Sequence, residues 1–275
     1  KVRYATVKRI YDAGKGGKSE LGGIKAGELL EEITEVVIDQ QRESVEILNK
    51  IEQELESENI FIINETEIED DHHEFIKNYF YQEISPALVV IILDEDIALP
   101  ELKDSAGYLT IKMSNSGGED QYALIEISKS MERFIVLPNR GEANYIIMVD
   151  DVIRYCLDEI FNIFKYDSIS SHMIKITRDG ELDFDSDLSK SFVDKLSRSV
   201  KGRQSGDPVR FVHDKNIEPD TLSFLLERME IDSKDSIIPG GRYHNRRDYM
   251  DFPSLGRTDL LYDRIKPLPV KGLSL

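Results

Sequence analysis

Residues 25–60 constrain the fold most strongly, because their apolar side chains repeat with the period of an α-helix. The segment KAGELLEEITEVVIDQQRESVEILNKIEQELESENI has apolar residues three or four positions apart, among them Leu29, Ile33, Val36 and Leu55. This spacing places them on one stripe of a long helix whose other faces are largely glutamate. Such a helix has to lay its stripe against other helices. The sequence therefore predicts a helical bundle at the N-terminal end.

The pattern changes at Pro86 to short apolar runs with strand character. The runs are ALVVIIL (87–93), YLTIKMS (108–114), QYALIEIS (121–128), RFIVLP (133–138), NYIIMV (144–149), HMIKITRD (172–179) and PVRFVHD (208–214). Helical periodicity returns at 150–164, 187–200 and 219–230. We therefore predict an α+β fold, with a helical N-terminal bundle followed by a mixed α/β domain.

The charge distribution limits the partners that the chain can bind. The chain carries 53 acidic and 35 basic residues, which gives a formal net charge of −18 at pH 7. Residues 20–104 hold 24 acidic and 5 basic residues, whereas residues 1–19 hold 1 acidic and 6 basic ones. An acidic body repels polyanions except where the local potential is positive. We expect no nucleic-acid ligand, because nucleic-acid binders usually have a basic overall balance.

Three features bear on the cellular compartment. The longest apolar run, at 87–93, is far shorter than the roughly 20 residues that a membrane-spanning helix needs. The first ten residues hold four basic side chains and no apolar core, unlike a signal peptide. The single cysteine, Cys156, excludes a disulfide framework. These features predict a cytoplasmic protein without a transmembrane segment.

Three short motifs invite chemical interpretations that the residues do not support. GKGGKS at 14–19 lacks the first glycine of a phosphate-binding loop, because Asp12 stands there, so we interpret it as a surface loop. DDHHE at 70–74 has no histidine four residues further on to complete a zinc-binding face, and its acidic residues favour a helix start instead. Cys156 has apolar neighbours at helical spacing, which is typical of a buried thiol. We predict no catalytic residue and no metal site here.

The run SIIPGGRYHNRRDYMDF at 236–252 places three arginines and a histidine behind a Pro-Gly-Gly turn signal. The glycines let backbone N–H groups approach a ligand, and Asn245 is a suitable N-cap for a short helix. The free N–H groups of such a helix, together with Arg242, Arg246 and Arg247, are suited to phosphate.

The same arginines also have a purely local explanation. Nearby acidic residues are Asp235, Asp248 and Asp251. Ion pairs with these residues would hold the loop in place without any ligand. The residue pattern alone leaves both explanations open.

Segments along nearly the whole chain resemble the polyphosphate kinase family, which makes long-chain inorganic polyphosphate. In chain order they are KVRYATVKR, FIINE, YCLDEIFNIF, MIKITRDGELD, DPVRFVHD and DSIIPGGRYHNRRDYMDFP. The resemblance implies a helical N-terminal domain at residues 1–85, truncated at its start, and a head domain at residues 86–265. Residues 266–275 would be a linker toward two catalytic domains related to phospholipase D.

The resemblance implies a parent enzyme that reversibly transfers the terminal phosphate of ATP to inorganic polyphosphate through a phosphohistidine. ATP, ADP, Mg²⁺ and polyphosphate would be its ligands, and it would form a homodimer through the head domain. The family's phosphorylated histidine and its ATP and magnesium residues have no matching positions in this chain. We therefore expect the chain alone to be inactive and to bind no cofactor. The alternative is a non-catalytic module for dimerisation and polyphosphate guidance.

Six residues are candidates for polyphosphate binding or for an interface between domains. They are Arg242, His244, Asn245, Arg246, Arg3 and Lys8. The first four would hold the turn where the head domain faces the catalytic domains, and His244 is not the family's nucleophile by its motif. Arg3 and Lys8 would form a second basic spot on a helix near the chain start, although a solvated helix face explains them equally.

Overall fold

The structure, a computed structural model, describes residues 2–12, 14, 21–94, 99–178, 208–231 and 236–263. The helices are α1 (Val2–Asp12), α2 (Ala26–Ser57), α3 (Asp70–Tyr79), α4 (Val149–Tyr155), α5 (Leu157–Ile160) and α6 (Pro219–Arg228). The strands are β1 (Ile60–Ile63), β2 (Val89–Leu93), β3 (Gly107–Ser114), β4 (Gln121–Ile127), β5 (Phe134–Val136), β6 (Asn144–Met148), β7 (Ser168–Arg178), β8 (Pro208–Asp214) and β9 (Ser236–Gly240).

The described strands form two sheets. The larger has the order β2-β4-β3-β7-β8-β9 and is antiparallel except for the parallel pair β8–β9. The smaller has the order β1-β6-β5, in which β1 and β6 are parallel. Helices combined with mixed sheets confirm the predicted α+β class.

Strands β3 and β4 of the larger sheet are buried on both faces, which explains why they read as nearly continuous apolar runs. On one face Leu109 and Ile125 pack in a core with Ile76 of α3, Val152 of α4 and Ile147 of the smaller sheet. A second core covers the opposite face and includes residues of α6. Its strand and helix members include Tyr108, Leu124, Ile174, Phe211 and Leu225.

The predicted long helix is confirmed as α2, which rises about 48 Å at 1.5 Å per residue over its 32 residues. Near its start, Leu30 packs in a cluster with Tyr4 and Val7 of α1 and Val209 of β8. Further along, α2 contacts β9 and β1. The helix ends where Asn59 adopts a left-handed φ of 59°, a conformation that asparagine tolerates. No described helix is both long and apolar enough to span a bilayer.

The predicted layout of a helical bundle followed by a separate head domain is not confirmed. Strand β1 pairs with β6, and Ile76 of α3 lies in the core that also holds Ile125 of β4. Elements on both sides of residue 85 therefore share one core, and the domain boundaries stay predictions. The predicted helix at 187–200, the linker at 266–275 and most of the loop at 14–19 lie outside the described residues.

One local prediction is wrong. Pro239 and Gly240 were expected in a turn, but they end strand β9. Among the described strands it lies at the edge of the larger sheet, where a proline is tolerated because one side of the strand has no described ladder partner.

Candidate functional site

The segment after β9 is held against the smaller sheet by aromatic packing. Tyr249 and Phe252 both lie against Phe134 of β5, with ring centroids 5.3 and 5.2 Å apart in edge-to-face geometry. Tyr243 joins the same cluster, beside Leu55 of α2. These aromatic residues fix residues 241–252 on the side of the molecule where α2, α4 and β5 meet.

Residues 241–245 are anchored on Asp151, a fully buried carboxylate in the first turn of α4. Arg242 donates to Asp151 Oδ1 through Nη2 at 2.7 Å and Nε at 3.1 Å. Arg154 Nη1 donates to the same oxygen at 2.7 Å, and the Tyr243 hydroxyl donates to Oδ2 at 2.5 Å. Three side chains thus compensate one buried charge, which would otherwise be strongly unfavourable.

Arg242 also donates to Glu65, in the turn after β1. Burial alone lowers the pKa of Arg242, but the charge of Asp151 and the hydrogen bond with Glu65 outweigh it and raise the pKa above its ordinary value. Burial and the charge of Asp151 also raise the pKa of Tyr243. We call Glu65, Asp151, Arg242 and Tyr243 the Asp151 clamp. Among the described residues, Arg242 pairs with Asp151 and Glu65, which are distant in the chain, and not with the nearby Asp248 or Asp251.

His244 is a half-buried residue with a neutral imidazole. Both ring nitrogens are shielded from solvent and lack a well-formed hydrogen bond with the described residues. Burial lowers the pKa of His244 to about 3. The ring lies so close to β9 that a Cβ on Gly240 would be 3.1 Å from Nε2. In this arrangement His244 packs under the loop and does not present a positive charge.

Asn245 and Arg246 begin the predicted short helix, which is a 3₁₀-helix at Arg246–Asp251. The predicted side-chain cap is wrong, because the Asn245 amide group donates to Asp248 and accepts a 3.4 Å contact from Lys175 Nζ. Arg246 Nε donates to Ser44 Oγ of α2 at 3.2 Å. Arg246 therefore joins the loop to α2.

The second basic spot lies on another element. Arg3 is exposed on α1, whereas Tyr4 and Val7 of that helix are buried against α2 and β8. Lys8 is half-buried on the same helix. The structure brings Arg242, His244, Asn245 and Arg246 together, and places Arg3 and Lys8 on a helix that packs elsewhere. Ligand binding by all six residues stays a prediction.

A cavity of about 890 Å³ opens beside the loop and was not anticipated from the sequence. Lys129, Lys175, Arg247, His244 and Asn245 all line it. The sequence holds one signal for this cavity, in strand β7. Residues 173 and 175 lie on the same face of the strand, and Met173 packs in the core, so a lysine at position 175 is unexpected there. The contribution of Lys129 could not be seen, because only the fold brings it to β7.

Cys156 and DDHHE have the structural roles that were predicted, whereas most of GKGGKS lies outside the described residues. Cys156 is fully buried, and burial raises the pKa of its thiol to about 12. DDHHE begins α3, with Asp70 and Asp71 in the first turn. Within the described residues, no group of three or more His, Cys, Asp or Glu side chains is placed to hold a metal ion.

The comparisons with known proteins agree with the resemblance. Residues 71–252 match the family model described as "Polyphosphate kinase middle domain". The chain is 35% identical to the polyphosphate kinase of Vibrio cholerae and 34% identical to that of Escherichia coli K12, over 98% of this chain and 38% and 39% of those proteins. The crystal structure of the polyphosphate kinase from Porphyromonas gingivalis has the same fold, with a TM-score of 0.75 at 22% identity over 98% of this chain and 36% of that one. The chain spans less than two fifths of the length of these proteins, and it belongs to the polyphosphate kinase family.

Proposed function

We propose that this chain is the N-terminal and head portion of an enzyme that reversibly transfers the terminal phosphate of ATP to inorganic polyphosphate. The observation that carries the proposal is the 35% identity with a polyphosphate kinase over 98% of the chain. In the proposed reaction a histidine accepts the phosphoryl group and passes it on, which divides one difficult transfer into two easier ones.

The phosphate-carrying histidine lies outside residues 1–275 under this proposal. The contacts of the five histidines support it. His72 and His213 each lie at hydrogen-bond distance from a backbone carbonyl oxygen, and His73 packs against a tyrosine ring. The ring nitrogens of His244 are shielded from solvent, and His172 lies between two carboxylates. All five have structural partners or are shielded from solvent.

ATP and Mg²⁺ are reactants of the proposed parent enzyme. Within the described residues, no group of three or more His, Cys, Asp or Glu side chains is placed to hold a metal ion. The role proposed for these residues is one of positioning.

The proposed role of these residues is to position other parts of the enzyme. The Asp151 clamp joins α4, the turn after β1 and the segment after β9, and Arg246 extends the connection to α2. Asn245 and Arg247 remain exposed at the mouth of the cavity. We place the interface with the catalytic domains at this loop, and Arg3 and Lys8 at a separate basic surface.

A second candidate function is a module for dimerisation and polyphosphate guidance. Strand β2 favours it, because among the described strands it lies at the edge of the larger sheet and pairs with β4 alone. Val89, Val90 and Ile92 are 48%, 37% and 41% exposed. An exposed apolar edge strand can pair with another chain. The homodimer through the head domain would form at this edge.

A chimera tests the proposed function. Residues 1–275 replace the matching segment of the Vibrio cholerae polyphosphate kinase, and polyphosphate synthesis from ATP is measured. We expect synthesis to be retained. A chimera that folds and assembles like the parent enzyme but makes no polyphosphate would contradict the proposal.

A further inference from the structure

Three cationic side chains from separate parts of the fold line the cavity beside residues 241–247. Lys129 follows β4, Lys175 lies on β7, and Arg247 lies in the 3₁₀-helix after Asn245. The floor between them includes the apolar side chains of Met131 and Met173. Carboxylates also line the cavity, at Glu132, Asp248 and Asp251, so it carries both signs of charge in a chain whose net charge is −18.

These three cations are not neutralised within the part of the chain that the structure describes. Lys129 and Arg247 form no ion pair or side-chain hydrogen bond with a described residue. Lys175 has only its long contact with the neutral Asn245 amide. The fourth cation of the cavity differs, because Arg133 pairs at 2.7 Å with both Asp150 and Asp248.

A half-buried ammonium group without a carboxylate partner is energetically unfavourable. Burial lowers the pKa of Lys175, the charge of Asp248 opposes that effect, and the neighbouring Lys129 lowers the pKa further. Two adjacent cations in a partly desolvated cavity would be relieved by one ligand that brings several negative charges. A neutral or singly charged ligand would relieve them less.

We infer that this cavity binds a condensed phosphate, an anion of two or more linked phosphates, through Lys129, Lys175 and Arg247. The choice of phosphate over a polycarboxylate rests on the proposed function, whereas the number of charges follows from the cations themselves. Lysine ammonium and arginine guanidinium groups both form strong charge-assisted hydrogen bonds with phosphate oxygens. The phosphate chain could belong to inorganic polyphosphate or to a nucleotide.

Calorimetric titration of the 275-residue chain at low salt tests the inference. The ligands are tripolyphosphate, ATP, orthophosphate and citrate. We expect tripolyphosphate to bind clearly more tightly than orthophosphate and citrate, and to weaken as the salt concentration rises. Equal affinities for tripolyphosphate and ATP indicate that the phosphate chain alone is recognised, and tighter binding of ATP indicates a nucleotide. Absence of tripolyphosphate binding, or equal binding of orthophosphate or citrate, overturns the inference.

Variants locate the site. Lys129→Met and Lys175→Met should each weaken tripolyphosphate binding roughly ten-fold, the loss expected for one charge-assisted hydrogen bond. Lys165→Met removes the same charge from an exposed position that does not line the cavity, and should leave the affinity unchanged. Lys175→Met should also keep or raise the melting temperature, because it removes an unpaired, half-buried charge. Equal weakening in all three variants would contradict a defined site.

Failure of this inference can be distinguished from failure of the proposed function. Binding is measured on this chain without turnover, whereas the function is measured by synthesis in the chimera. If this chain binds tripolyphosphate but the chimera is inactive, the inferred binding site is supported and the proposed function is contradicted. If the chimera is active but this chain does not bind tripolyphosphate, the proposed function is supported and the inferred site is contradicted.

Discussion

At the scale of single residues, Asp151 determines where the segment after β9 lies. Its carboxylate is fully buried and accepts hydrogen bonds from Arg154, Arg242 and Tyr243. Arg154 is three residues away on the same helix, but Arg242 is 91 residues away. The sequence marks Arg242 as unusual and gives no indication of its partner, because nearby aspartates are equally plausible. Only the packing of α4 against the loop selects Asp151.

Replacing Asp151 tests the clamp. Asp151→Asn leaves the buried Arg154 without a carboxylate and Arg242 with Glu65 alone, so the free energy of unfolding should fall by roughly 3–5 kcal/mol. Urea denaturation measures the loss. Asp39→Asn, in an exposed pair with Arg42, is the control and should change stability little. Similar effects of both substitutions would show that the clamp does not stabilise the fold.

His244 gives a prediction about pH. The folded protein holds the pKa of His244 at about 3, whereas the ordinary value is 6.5. Between these values the unfolded chain binds a proton that the folded chain does not, so stability falls as the pH is lowered from 6.5 toward 3. The slope from this residue is at most about 1.4 kcal/mol per pH unit. His244→Gln should therefore flatten the decline of the melting temperature between pH 6.5 and 4, and an unchanged slope would contradict the burial of a neutral ring.

At the scale of elements, hydrophobic periodicity predicts α2 and most of the strands correctly because each has a simple environment. Strands β3 and β4 are covered on both faces, so their apolar runs are nearly unbroken. Hydrophobic periodicity does not predict strand β9, because its sequence SIIPG ends in turn-forming residues. Its position is set by the parallel pairing with β8, a long-range contact that local patterns do not encode.

Gly240 allows the close approach of β9 to its neighbours. A Cβ at this position would lie 3.0 Å from Val212 Cγ1 and 3.1 Å from His244 Nε2. Gly240→Ala should therefore destabilise the protein by about 1–3 kcal/mol through overpacking. Gly118→Ala has its nearest described neighbour at 3.7 Å and serves as the comparison in the same thermal or urea unfolding experiment. Equal stability of the two variants would refute the close packing.

The edge strand β2 gives a prediction about assembly. Val90→Lys places a charge on the exposed apolar edge, and charged edge residues oppose strand pairing between chains. If the chain dimerises through this edge, the substitution should shift it to a monomer in light-scattering measurements. Ile163→Lys, at a position that is 83% exposed outside the strand, should leave the assembly unchanged. A dimer that survives Val90→Lys would place the interface elsewhere.

At the scale of the whole molecule, the family could be identified from the sequence because its motifs keep their order along the chain. The division into domains was less accessible, since the predicted boundary at residue 85 falls inside a region whose elements share one core. The cavity with its three cations that lack a described ion-pair partner could not be predicted from the sequence for the same reason. Its walls come from segments more than a hundred residues apart in sequence, and only the two-sided sheet brings them together.

We propose that these residues organise a phosphotransfer whose reactive imidazole lies outside them. The decisive experiment is incubation of the purified chain with radiolabelled ATP and Mg²⁺, with acid-labile, base-stable phosphate on the protein as the measured quantity. We expect no label above a heat-denatured control, because the five histidines in this chain have structural partners or ring nitrogens shielded from solvent. Stoichiometric label on any of them would contradict it.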